Sequence, residues 1–219
     1  MDLDGDGWTE LSHPIDEDTV RMPFLPAPEM ELVPEAALQA TKVTVATHVG
    51  THIEAPRHRF PDGDGIEADP PERWLTEGYV AETDVAGLDP IEPADLALPD
   101  WLGAGDALLV RTGFEERVGT EAYFEPPYLA VETAELLVER GLSWVGFDTP
   151  SPERPADIGA EGSDYPVHAT LLGGDVLVGE HLTNLAGLVG ERVDVVALPL
   201  RYVGSDAAHA RVVARPSRQ

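Results

Sequence analysis

The segment Thr47-His48-Val49-Gly50-Thr51-His52-Ile53-Glu54-Ala55-Pro56-Arg57-His58 constrains this chain more than any other. His48, His52, Glu54 and His58 fall at even positions, while Val43, Val45, Val49 and Ile53 fall at odd ones. A period of two places alternate side chains on opposite faces of a strand. The pattern predicts a strand whose odd face enters the core and whose even face presents His48, Gly50, His52, Glu54 and His58. Neutral imidazole and ionised carboxylate are the usual ligands of a zinc-like divalent ion. Along a regular strand, residues four apart lie about 13 Å from one another, too far for His48 and His52 to share an ion. Gly50 stands midway and can take backbone angles closed to other residues, so the strand is expected to break there and lead into an irregular, metal-binding loop. A helix would also align His48 with His52, but the β-branched run, Gly50 and Pro56 argue against one. One segment seldom completes such a site, so distant ligands are expected.

The ligand chemistry is narrowed by what the chain lacks. It has no cysteine, which removes disulfides and thiolates and leaves nitrogen and oxygen as donors. Its net charge of −27 sets it against nucleic acid and anionic membrane surfaces. No apolar run of about 18 residues is present, so no membrane span is expected. Met1-Asp2-Leu3-Asp4-Gly5-Asp6 has neither the basic start nor the apolar centre of a signal peptide, and a cytoplasmic location is expected. Lys42 is the sole lysine among 14 basic residues, against 41 acidic ones. That balance resembles proteins of salt-accumulating organisms, in which molar salt screens self-repulsion. With 219 residues and 42% hydrophobic content, the chain can bury a substantial core.

Elsewhere, strands are predicted over 9–15, 78–85, 106–112, 142–147, 176–178, 193–200 and 210–214. Prolines 23, 26, 28 and 34 make 23–35 an extended loop. Residues 60–65 read as turns; Asp62-Gly63-Asp64-Gly65 lacks the spacing of a calcium-binding EF-hand. Residues 93–98 read as a helical turn. The clearest helix is 131–140, with Ala130, Ala134, Leu137 and Val138 on one face and Gly141 as its stop. Residues 150–166 carry four prolines and read as a loop, and His168 to Leu172 as a short helix. Strands interleaved with few helices give a mixed α/β single domain over 1–219, with its core at about 9–214.

Four histidines lie outside the first cluster: His13, His168, His181 and His209. His168 and Glu180 stand at a helix start and a strand end, where ligands commonly sit. His13, His181 and His209 read as surface residues. Arg111, Asp148 and Ser151 read as pocket or structural groups.

The string His48-x-Gly50-Thr51-His52-x-Glu54-x-Pro56-x-His58 resembles the signature of the metal-dependent cyclase family, which includes bacterial kynurenine formamidases and isatin hydrolases. Further resemblances follow in order: Arg111-Thr112-Gly113, Gly146-Phe147-Asp148-Thr149-Pro150-Ser151, His168-x-x-Leu171-Leu172, Glu180-x-Leu182-x-Asn184-Leu185 and Pro199-Leu200. The resemblance implies a swivelling β/β/α fold and a homodimer or homotetramer. It also implies one or two divalent ions, Zn2+ or else Mn2+, held by His48, His52, Glu54, His168 and Glu180, with His58 as the catalytic histidine. The family writes Asp where this chain has Glu54. Kynurenine formamidases carry a substrate-stacking Trp in an early Trp-Pro-Gly-Asp-like string. This chain has Arg21-Met22-Pro23-Phe24 there, which argues for a substrate other than N-formylkynurenine. The function expected is metal-assisted hydrolysis of a small amide, formamide or lactam. A lactonase or cyclase, or a member that binds metal or ligand without turnover, is the alternative.

Overall fold

The computed structural model describes residues 7–34 and 37–217; Met1–Asp6, read above for a signal peptide, lie outside them. Among the described residues, twelve strands run in chain order as β1 (Thr9–Glu10), β2 (Glu29–Leu32), β3 (Thr41–Thr44), β4 (His52–Glu54), β5 (Leu75–Glu82) and β6 (Pro90–Ile91). They continue as β7 (Ala107–Arg111), β8 (Tyr128–Leu129), β9 (Trp144–Phe147), β10 (Leu177–Glu180), β11 (Arg192–Pro199) and β12 (Ala207–Pro216). The helices are α1 (Val131–Glu139) and α2 (Pro166–Gly173).

The principal sheet has the order β1-β12-β11-β5-β7-β9-β10-β4. Its centre, β5, β7, β9 and β10, is parallel. The unbroken apolar runs of β7 and β9 suit strands covered on both faces, and all four residues of β9 are buried. β4 also pairs with the start of β12, so the sheet closes upon itself and β4 has no free edge. α1 buries Ala134 and Leu137, packs on α2, and ends before Gly141, whose φ is +71°. One cluster of buried apolar side chains runs from Leu11 to Ala214. No helix among the described residues is long and apolar enough to cross a membrane.

Two expectations need correction. Residues 29–32 are strand, not loop: β2 pairs with β3 in a separate hairpin. Val43 therefore leaves the core and is 51% exposed, because the β3 backbone bonds to β2 and not to the main sheet. The chain is not one kinked ribbon through residue 50. It is a hairpin strand, a turn over 45–51, and then β4.

Candidate metal centre

The turn before β4 is made by Gly50. Its φ is +64°, its amide donates to Val20 O at 2.8 Å, and a Cβ would fall 2.8 Å from Thr19 Cγ2. Any other residue is both strained and crowded there. This turn folds His48 back over His52, so that His48 Nδ1 and His52 Nε2 are 3.0 Å apart. β4 then carries His52 and Glu54 on one face and Ile53 on the other, and all three are buried. Glu180, at the end of β10, lies opposite His52 in the antiparallel register. Pro56 opens a short turn that carries His58, and Pro166 opens α2, whose first turn carries His168.

Each of three imidazoles gives its outer nitrogen to an oxygen. His52 Nδ1 meets Gly50 O at 2.8 Å, His48 Nε2 meets Asp206 Oδ2 at 2.8 Å, and His168 Nδ1 meets Glu153 Oε1 at 3.1 Å. An outer N–H donated in this way leaves the inner nitrogen of a neutral ring bare. The inner nitrogens converge on two carboxylates. His48 Nδ1 and His52 Nε2 stand 3.0 and 3.6 Å from Glu54 Oε1, and His52 Nε2 stands 3.3 Å from Glu180 Oε2. On the other side, His168 Nε2 stands 3.0 Å from Glu54 Oε2 and 3.6 Å from Glu180 Oε1. Both carboxylates thus present one oxygen to each half of the site.

These atoms fit a divalent cation. His168 Nε2, Glu54 Oε2 and Glu180 Oε1 are buried without a hydrogen bond, although the first two are 3.0 Å apart. Donor atoms that approach without bonding are aimed at a shared point. Tetrahedral ligands at about 2.0–2.1 Å from an ion lie about 3.3 Å from one another, in the middle of the separations found here.

Charge favours the same occupant. Burial opposes a proton on His48, but bonds to Asp206 and Glu54 prevail and lift it to about 10. Burial likewise opposes charge on His168, yet the neighbouring carboxylates of Glu54, Glu153 and Glu180 hold it well above the usual imidazole range. Hydrogen bonds from His48 and His58 hold the Asp206 carboxyl far below its ordinary value. Anionic oxygens that draw protons onto rings this strongly also attract a cation.

The expected residues His48, His52, Glu54, His58, His168 and Glu180 all line one cleft or its floor. Glu153 and Asp206, which orient His168 and His48, were not expected. Glu153 sits in the proline-rich loop and Asp206 in a turn before β12, and neither spacing carries a signal. His181 and His209 are not surface residues. His181 is fully buried beneath the site, meets the Tyr123 hydroxyl at 2.8 Å, and is pushed down to about 3 by burial and nearby His52. His209 is buried because it pairs in register with His52 where the sheet closes. His13 is partly buried, with its backbone amide on Thr51 Oγ1. Of the three groups read as pocket or structural, Ser151 lines the cleft. Arg111 is spent on Glu82 and Glu116.

Asp148 is a buried anchor. It accepts from Thr112 N, Thr112 Oγ1 and Gly113 N at 2.9, 2.7 and 2.8 Å. Burial outweighs these bonds and raises its carboxyl from 3.8 to about 6. The folded state therefore holds this proton more tightly than the unfolded chain. The contribution to stability is full below about pH 3.8 and is lost as pH rises to about 6, by about 3 kcal/mol. The stability difference between wild type and Asp148→Asn should change by about that amount across this window in denaturant titrations. A difference that does not vary with pH would contradict it.

Residues 9–154 match the profile of the family described as "Putative cyclase". The chain belongs to the cyclase family. Among cyclase-family relatives, a kynurenine formamidase of Salinibacter ruber (strain DSM 13855 / M31) is 30% identical over 190 residues, 83% of this chain and 82% of the relative. A solved structure described as "The Structure Of Potential Metal-Dependent Hydrolase With Cyclase Activity" is 26% identical. It has a TM-score of 0.81 and covers 97% of this chain and 98% of its own. An isatin hydrolase bound to thioisatinate shares the fold at a TM-score of 0.82 and 20% identity, covering 96% of this chain and 92% of its own. In this cyclase-family chain, Glu54 stands where the resemblance to the family signature leads one to expect Asp. Its extra methylene does not carry it past the cluster: its two oxygens reach both halves of the site.

Proposed function

We propose that the protein is a metal-dependent hydrolase of a small-molecule amide, formamide or lactam C–N bond. The observation that carries this reading is the pair of buried carboxylates, each shared between two sets of bare imidazole nitrogens, at the floor of a cleft of about 410 Å³. His48, His52, Glu54 and Glu180 would hold one ion, and His168 with Glu54 and Glu180 would hold a second where two are bound. All-nitrogen and oxygen ligands suit Zn2+ first and Mn2+ next. A divalent cation held there supplies water activated near neutral pH and positive charge for the developing oxyanion.

His58 moves the proton. Its Nε2 is 3.5 Å from Glu54 Oε1, its Nδ1 is 3.3 Å from Asp206 Oδ2, and its side chain is 33% exposed at the cleft. Asp206 orients the ring, and exposure to the cleft lets Nε2 deliver a proton to the leaving nitrogen. Formanilides, lactams and lactones assayed with Zn2+ or Mn2+ test the reading. Turnover of the first two supports it, turnover of lactones alone gives a lactonase, and tight metal binding with no turnover gives a binding protein.

We place the protein in the cytoplasm as one domain and propose that it forms a homodimer or homotetramer. The β2–β3 hairpin supports assembly: Met30 lies opposite Val43 and Leu32 opposite Thr41, and these apolar side chains are exposed. An isolated hairpin is marginal in water, so its apolar face calls for cover. We also propose adaptation to salt, on the net charge of −27. Thermal unfolding and sedimentation at low and molar KCl are expected to show a marked rise in both melting temperature and assembled fraction. A flat response in both would remove the salt proposal.

A further inference from the structure

The hydrolase reading leaves the nature of the substrate open, and Arg59, next to His58, bears on it. Arg59 lines the cleft and is the one lysine or arginine among its lining residues. Its Nε and Nη2 donate to Asp164 O at 3.2 and 3.0 Å, and its guanidinium lies 5.6 Å from the centre of the Phe60 ring. These contacts hold the group in place without neutralising it. Among the described residues no carboxylate pairs with it, in contrast to Arg73, Arg154, Arg192 and Arg211. Nη1 has no acceptor among the described residues. Beside it, the Tyr165 hydroxyl accepts from Gly159 N at 2.9 Å, which fixes the ring at the cleft wall. Phe24, Leu25 and Ile158 make the rest of that wall apolar.

A positioned guanidinium with a free donor edge, set in an apolar wall, matches a ligand with an apolar body and one anionic group. Resting on the hydrolase reading, we propose that Arg59 is a specificity-determining residue: it pairs with a carboxylate carried by the amide substrate, whose apolar body lies against Tyr165 and Ile158. The scissile carbonyl then points away from Arg59 toward the floor of the cleft.

Two measurements on the metal-loaded protein test this. With 2-formamidobenzoate and formanilide as substrates, Arg59→Gln should raise the ratio of their KM values about 10- to 100-fold, the worth of a charge-assisted bond, with kcat affected much less. An unchanged ratio overturns the proposal. Calorimetric binding of benzenesulfonate and methyl phenyl sulfone, similar in shape and differing in charge, needs no turnover. Wild type and Arg59→Lys should prefer the sulfonate, and Arg59→Gln should not. Equal affinities in wild type, or a preference kept in Arg59→Gln, overturn the anion subsite. Should no formamide or lactam be hydrolysed while the sulfonate preference depends on Arg59, the hydrolase reading fails and the subsite stands.

Discussion

His52→Ala is expected to abolish both metal retention and turnover, and to remove the stabilisation that a chelator otherwise strips from the wild type. His52 is fully buried, and its Nε2 lies within 3.6 Å of His48, Glu54 and Glu180. A cation that binds only the folded state adds about 2.7 kcal/mol at a hundredfold excess over its Kd. Wild type should therefore melt several degrees lower in chelator, while His52→Ala should melt at the same temperature with and without it. The checks are elemental analysis of purified protein and paired melting curves. Full metal content in the variant, or an undiminished chelator effect, would defeat the assignment of His52 as a ligand.

The second large effect is kinetic. His58→Ala should keep its metal and its melting temperature and lose about 10²- to 10⁴-fold in kcat, the usual range for a proton-transfer group. The contest here is close, because donor atoms of Glu54, His58 and His168 also lie within 4.8 Å of one another. What distinguishes His58 is its exposure: its side chain is 33% exposed, against 18% for His48, 6% for His168 and none for His52. A group that carries protons needs contact with the substrate side. A ligand needs only the ion. Metal content of His58→Ala separates the two: loss of one equivalent makes it a ligand, and loss of rate alone makes it the proton carrier.

Much of the site was legible because it is local. Gly50 between two histidines implied a break in the strand, and the backbone does turn there, with φ at +64°, although the turn precedes β4 and does not follow a strand through residue 50. The alternation of Ile53 with His52 and Glu54 placed those faces correctly. The same alternation misplaced Val43, since period two reports two faces of a strand and not which sheet the strand joins. The β2–β3 hairpin took Val43 away from the core by backbone bonding, which side-chain patterning does not encode. His209 was misread for a related reason: its burial comes from pairing with His52 across 157 positions of chain, where β12 meets β4.

The residue chemistry of the chain by itself determined that any cation here must be held by nitrogen and oxygen, that a cluster of imidazoles and a carboxylate begins within residues 48–58, and that the strand breaks at Gly50. Those are consequences of composition and of steric limits at single positions. Only the tertiary structure decided which oxygens complete the cluster and which groups aim the rings. Glu153, Asp206 and Arg59 are ordinary acidic and basic residues in loops, and one among 41 acids carries no mark of its own. Closure of the sheet at β4 and the approach of the 150–166 loop bring them within bonding distance, and that proximity, which no spacing along the chain expresses, is what gives them their roles.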